Sequence, residues 1–213
     1  MKRNLKLYLV RHGQSEGNVN KQVYFEKSDC DIELTEKGKV DAQNAADSIF
    51  TSLAGVDFHQ FSLFHSTYTR AEQTAKILKE KLEGYEGYYV EQTNASPLCR
   101  ERDWGSLRDI VNSHKKTEEH FNFYYRPLNG ESFSDTYQRA AVFHQWLVNT
   151  TEHDSVIIVA HGEFHKVYLM HLLGWDISEF EKWKHLGNGE VWIVEDGKLC
   201  SSTPLKRSKY YTP

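Results

Sequence analysis

The chain has 213 residues, 39% hydrophobic and 13% aromatic, which is apolar material for one sizeable core, so a single domain over 1–213 is expected. A formal net charge of -4 excludes a general electrostatic attraction to nucleic acid or to anionic membranes. Cys30, Cys99 and Cys200 form no C-x-x-C pair and their number is odd, a pattern of free thiols in a reducing compartment. The basic start is followed by an apolar run, Leu7 to Val10, too short for a signal-peptide core or a membrane span. A cytoplasmic protein is the expectation.

Leu5 to Val10 reads as a buried strand and runs straight into the polar segment Arg-His-Gly-Gln-Ser-Glu-Gly-Asn. From Thr35 to about Leu53, Val40, Ala42, Ala45, Ala46, Ile49 and Phe50 recur at mostly helical spacing. Gly38 near the start weakens only the first turn of that helix. Phe61 to Phe64 is a second strand, and Ser66 or Thr69 is placed to cap a helix reaching about Leu82. Tyr88 to Glu91 suggests a third strand. The stretch from Leu98 to Leu128 lacks periodicity and reads as a substrate-facing insertion of about 100–130.

Ser132-Phe-Ser-Asp135 resembles a capping box and opens a helix through Ala140, Ala141 and Trp146. Val156 to Val159 is the most strand-like run, and a helix to about Leu173 follows His161-Gly162. Glu190 to Val194 with a turn at Asp196-Gly197 gives a terminal strand or hairpin. Alternating strands and helices imply a three-layer α/β fold, its central sheet mostly parallel and flanked by helices. In such sheets ligands bind beyond the carboxyl ends of strands, where Arg11, His12, Arg70 and His161 all fall.

Two guanidinium groups and two imidazoles delivered by three strand ends suit a phosphate dianion, because arginine offers planar bidentate donors to phosphate oxygens. Gly13 and Gly162 leave room for backbone N–H groups to approach the anion. A neutral His12 can attack phosphorus and later leave, and neighbouring arginines favour that neutral form. His161 is suited to hold an oxygen of the transferring group. Arg70 at a helix start opposes the dipole unless an anion offsets it. His161 and His165 stand at i, i+4, but the glutamate is misplaced for H-E-x-x-H and no third ligand is evident, so no metal and no cofactor are expected. No G-x-x-x-x-G-K-[ST] segment is present.

Leu-Val-Arg11-His12-Gly13-Gln14-Ser15-Glu16-Gly17-Asn18, then Leu34-Thr35-Glu-Lys-Gly38, then His65 through Arg70-Ala71 to Ala75, and Val159-Ala160-His161-Gly162 together resemble the histidine phosphatase superfamily, the phosphoglycerate-mutase-like family. The resemblance spans most of the chain. It implies that His12 carries the phosphoryl group, that Arg11, Asn18, Arg70, His161 and Gly162 bind it, and that a carboxylic acid protonates the leaving oxygen. Arg100-Glu101-Arg102-Asp103-Trp104-Gly105 is similar to the acid-bearing segment and looks more phosphatase-like than mutase-like. Glu101 keeps the spacing to the glycine and Asp103 is its rival; Arg100-Glu101-Arg102-Asp103 also reads as an ordinary solvated charge run. Gly130-Glu131-Ser132 resembles an architectural element of the family. The implied activity is phosphomonoester hydrolysis on a phosphorylated small molecule or a phosphoprotein, with a phosphoglycerate-type mutase and a non-catalytic phosphate binder as the rivals.

Overall fold

The computed structural model describes residues 4–53, 55–106, 122–200 and 203–208. Strand β1 (Lys6–Arg11) is followed by the short helices α1 (Glu16–Val19) and α2 (Val23–Glu26), a 3-10 turn at Asp29–Asp31, and the long α3 (Glu36–Ser52). Then come β2 (His59–Ser66), α4 (Thr69–Glu83), β3 (Tyr88–Ser96), α5 (Phe133–Thr150), β4 (Ser155–Ala160), α6 (Gly162–Leu173), α7 (Ile177–Lys182), β5 (Val191–Glu195) and β6 (Lys198–Leu199). The six strands lie in the order β3-β2-β4-β1-β5-β6. β3, β2, β4 and β1 are parallel, and β5 and β6 add antiparallel pairs at one edge.

Successive strand residues point to opposite faces, and here both faces are covered. Leu7 and Leu9 pack with Val156, Ile158, Phe143, Leu147, Phe164 and Tyr168, which places α5 and α6 on one side. Tyr8 and Val10 pack with Ile157, Val159, Ala45, Ile49, Ala75 and Leu78, which places α3 and α4 on the other. Burial on both faces explains why β1 and β4 read as continuous apolar runs rather than alternating ones.

Three expectations are adjusted. β3 runs on past Glu91 to Ser96: it is an edge strand whose outward residues Glu91, Thr93 and Ala95 are exposed, so half of its pattern is polar. Helix α4 is entered at Tyr68, with neither Ser66 nor Thr69 as its cap. Gly38 does more than weaken a turn, since a Cβ there would stand 2.0 Å from the Gln14 carbonyl oxygen. The cap at Ser132 forms as expected, and Thr35 caps α3 in the same way, each side chain accepting the N3 backbone N–H. Most of the expected insertion, residues 107–121, lies outside the described residues. No described helix is long and apolar enough to cross a membrane.

Candidate active site

The register of the parallel strands brings the polar segments together. Arg11 pairs with Ala160 across β1 and β4, and His65 pairs with Val159 across β2 and β4. The residues just beyond, His12, Ser66 to Arg70 and His161, therefore converge at one sheet end. The first loop is locked there by the His12 backbone N–H donating to the Ala160 carbonyl at 2.9 Å.

His12 is 3% exposed. Its Nδ1 lies 2.7 Å from the Gly13 carbonyl, a pure acceptor, so Nδ1 carries the ring proton and Nε2 presents a lone pair. Arg70 Nε donates to that Nε2 at 3.3 Å. Burial first, then the charges of Arg70 and Arg11, hold the imidazole well below its ordinary pKa, because each disfavours a second positive charge. Arg70 also donates through a terminal nitrogen to the Asp29 carbonyl and stands 3.1 Å from Asp29 Oδ1. Asp29 is an anion that offsets this cation at the start of α4. Arg11 donates to the Leu186 carbonyl at 2.8 Å, and its buried Nε has no partner among the described residues.

His161, at the N-terminal cap of α6, is fully buried and edge-on to His12, with ring centroids 5.1 Å apart. Its Nε2 is 2.8 Å from Ser66 Oγ, and its buried Nδ1 has no partner among the described residues. Tyr68 N donates to the same Ser66 oxygen, which leaves the hydroxyl hydrogen able to serve Nε2 and the ring proton to sit on Nδ1. Burial, Arg70 and His12 lower the pKa of His161.

Glu101 follows a 3-10 turn, Pro97–Cys99. One of its oxygens accepts from the backbone N–H groups of Arg102 and Phe164, both at 3.0 Å, and the other from Glu163 N at 3.3 Å. The carboxyl thus takes up two of the free donors at the N-terminus of α6. Burial and the neighbouring Glu163 charge raise its pKa. Asp103 is exposed, accepts from Gly105 N at 2.7 Å, and does not line the pocket. Nor is the surrounding segment a solvated charge run: Arg102 is 1% exposed, and Arg100 and Arg139 both bind Glu131. Arg139 also donates to the carbonyls of Leu98, Arg100 and Glu101, which gives the Gly-Glu-Ser element its architectural role.

One pocket is lined by Arg11, His12, Asn18, Arg70, Glu101 and Gly162, together with Ser15, Lys21, Tyr24, Asp29, Trp104, Glu163 and His185. The second group escaped sequence reasoning as site residues. Asn18 Oδ1 is taken by Ser15 N, Ser15 Oγ and Asn188 Nδ2, so only its amide hydrogens face outward for a ligand. Asn188 also donates to the carbonyls of His12 and Gly13; the polar, glycine-flanked run His185 to Gly189 was the signal for it. Gly13 does not serve an anion: its N–H donates to Thr74 Oγ1, and a Cβ would strike the Gly38 carbonyl at 2.0 Å. A Cβ on Gly162 would meet the His185 ring at 3.1 Å and Arg11 Cζ at 3.3 Å, so this glycine lets Arg11 pass across the helix start. His165 is buried with Nε2 2.9 Å from the Val10 carbonyl, a strand clamp. Among the described residues no group of three or more His, Cys, Asp or Glu side chains is placed to hold a metal.

Known proteins are similar to this chain. The family described as the histidine phosphatase superfamily (branch 1) matches residues 7–198. The chain is 29% identical over 209 residues to the phosphoglycerate mutase-like protein AT74 of Arabidopsis thaliana, covering 91% of this chain and 65% of that one. It is 31% identical over 121 residues to the broad-range acid phosphatase DET1 of Saccharomyces cerevisiae, covering 51% of this chain and 35% of that one. It therefore spans about two thirds or less of the length of these two relatives. A mycobacterial glucosyl-3-phosphoglycerate phosphatase solved with VO3 superposes with a TM-score of 0.71 at 22% identity, covering 92% of this chain and 98% of that one, which speaks for the fold. With the matched residues running from β1 to β6, the chain belongs to the histidine phosphatase superfamily, branch 1.

Proposed function

We propose that this protein hydrolyses phosphomonoesters through a phosphohistidine on Nε2 of His12. The observation that carries the reading is the fixed tautomer: Nδ1–H is committed to the Gly13 carbonyl, and the bare Nε2 lies against Arg70. In the first half-reaction the Nε2 lone pair forms a bond to phosphorus, the bond to the ester oxygen breaks, and Glu101 gives its proton to the departing oxygen. In the second, ionised Glu101 takes a proton from water, the water oxygen attacks phosphorus, and the N–P bond breaks. Inorganic phosphate leaves and Glu101 holds its proton again.

Arg11 and Arg70 offset the charge on the equatorial oxygens, to which the amide of Asn18 and Nδ1–H of His161 donate hydrogen bonds. The arginines supply the positive charge that a metal provides elsewhere, so turnover is expected to survive a chelator. A phosphorylated small molecule is the substrate class; the mycobacterial phosphatase of the same fold is named for one, glucosyl-3-phosphoglycerate. Acid-labile radiolabel on the protein during turnover, absent in His12→Ala, is the expected result. Full turnover by His12→Ala sinks the mechanism. Release of inorganic phosphate, scored beside interconversion of phosphoglycerates, separates hydrolysis from the mutase reaction.

A further inference from the structure

The carboxyl of Glu101 sits among groups that favour its ionised form. It accepts three backbone N–H bonds, from Arg102, Glu163 and Phe164, and Arg11 adds a positive charge from β1. A carboxyl in such a cage tends to give up its proton early, which would leave nothing to protonate a leaving oxygen. Two influences oppose this: burial and the carboxylate of Glu163. Tyr24 from α2 also faces Glu101, as an uncharged phenol.

Glu163 is itself firmly placed. It is the second residue of α6, directly after Gly162, and it lines the same pocket as Glu101. Its Oε2 accepts from Arg102 Nε at 2.7 Å. The Arg102 guanidinium is sandwiched between the Trp104 ring at 3.9 Å and the Phe133 ring at 4.0 Å, and its side chain is fully buried. A fully buried cation packed against two rings has little freedom to follow its partner. The Glu163 carboxylate is thereby held in place beside Arg102. Lys166, one turn further along α6, lies over the Phe180 ring at 3.7 Å.

We propose that Glu163 is a positioning residue for the acid–base step: clamped by Arg102, it sets both the place of the Glu101 carboxyl and the pH at which that carboxyl releases its proton. Two neighbouring carboxyls in unlike surroundings thus take different parts, one bound to Arg102 and one left to carry the proton. The inference rests on the phosphohistidine reading, and it extends it by giving a role to a charge that touches neither phosphorus nor the leaving oxygen.

The test is the pH profile of kcat/KM for Glu163→Gln on an alkyl phosphate, whose leaving oxygen needs a proton. Loss of the negative charge makes Glu101 more acidic, so the basic limb is expected to move to lower pH. The deficit against the parent grows several-fold across that limb. With a dinitrophenyl phosphate, whose leaving group departs without a proton, the pH-dependent part of the deficit disappears. Glu163→Asp keeps the charge and brings the limb back toward the parent. A deficit independent of pH and of leaving group, or an unmoved limb, overturns the proposal and leaves a structural salt bridge. Should Glu163→Gln fail to fold, side-chain carboxyl 13C NMR of the parent decides. Glu101 is expected to titrate above the ordinary carboxyl range, and a Glu101 that titrates within or below that range overturns the proposal. Acid-labile labelling of His12 in the parent reports separately on the underlying mechanism.

Discussion

Gly38→Ala sets two physical effects against each other. Gly38 is the third residue of α3, so helix propensity alone favours alanine by up to about 1 kcal/mol. The structure gives the opposite sign. The new Cβ would lie 2.0 Å from the Gln14 carbonyl oxygen, where ordinary contact begins at 3.4 Å, so helix and loop must part by the difference, about 1.4 Å. Neither side yields easily: Gln14 O accepts from Thr35 N at 2.9 Å, and Gln14 N donates to Asp41 Oδ2 at 3.0 Å. Overpacking of this kind costs about 1–3 kcal/mol. A backbone clash belongs at the upper end, leaving a net loss of about 2 kcal/mol, or about 4–8 °C in Tm for a chain of this size. Because Gln14 follows His12 by two residues, the nucleophile shifts too, and a misplacement near 1 Å costs roughly 10²-fold in rate. Thermal denaturation monitored by circular dichroism and kcat/KM on an aryl phosphate measure both. A raised Tm with unchanged kcat/KM refutes the reasoning.

Removing Arg70 as Arg70→Ala is expected to lower kcat/KM by about 10²–10³-fold, to weaken competitive inhibition by inorganic phosphate, and to move the acid limb upward in pH, because His12 loses the charge that holds it neutral; a steady-state pH series reads all three. Burial lowers His144 and His165 from 6.5 to about 4. Both stay neutral in the fold while the unfolded chain protonates, so stability is expected to fall as pH drops from 6.5 to about 4. The fall is smaller in His144→Gln, and a Tm that is flat between pH 7 and 5 contradicts it. Burial pushes the Cys99 thiol up to about 12, whereas Cys30 is partly exposed and Cys200 exposed. A thiol reagent is therefore expected to modify two cysteines in the native protein and the third only after unfolding.

What could be read in advance was whatever the chain writes contiguously. Val10, Arg11, His12 and Gly13 are neighbours in sequence and stay neighbours at a strand end, and the same holds for Ala160, His161 and Gly162. Relations made only by folding stayed hidden. Arg102 looks like one charge among four until Trp104, Phe133 and Glu163 are seen to enclose it. Asp29 reaches Arg70 across 41 residues, and no spacing rule links them. Gly13 and Gly38 each allow a close approach, and their meeting follows from the path of the loop, which neither residue reveals alone. Spacing already favoured Glu101 over Asp103; what it could not show is that Glu101 accepts three backbone N–H groups while Asp103 stands exposed.

The hydrogen bonds of the pocket join distant parts of the chain. Arg70 to His12 spans 58 residues, His161 to Ser66 spans 95, and Arg11 to Leu186 spans 175. No fragment that stops before β4 holds both histidines, and none that stops before Leu186 gives Arg11 its carbonyl partner. Pairings this long in sequence form late, after the entropy of closing the intervening loops has been met. Recovery of phosphate release during refolding is therefore a clock for completion of the whole sheet: it lags behind helix formation and coincides with docking of the last strand.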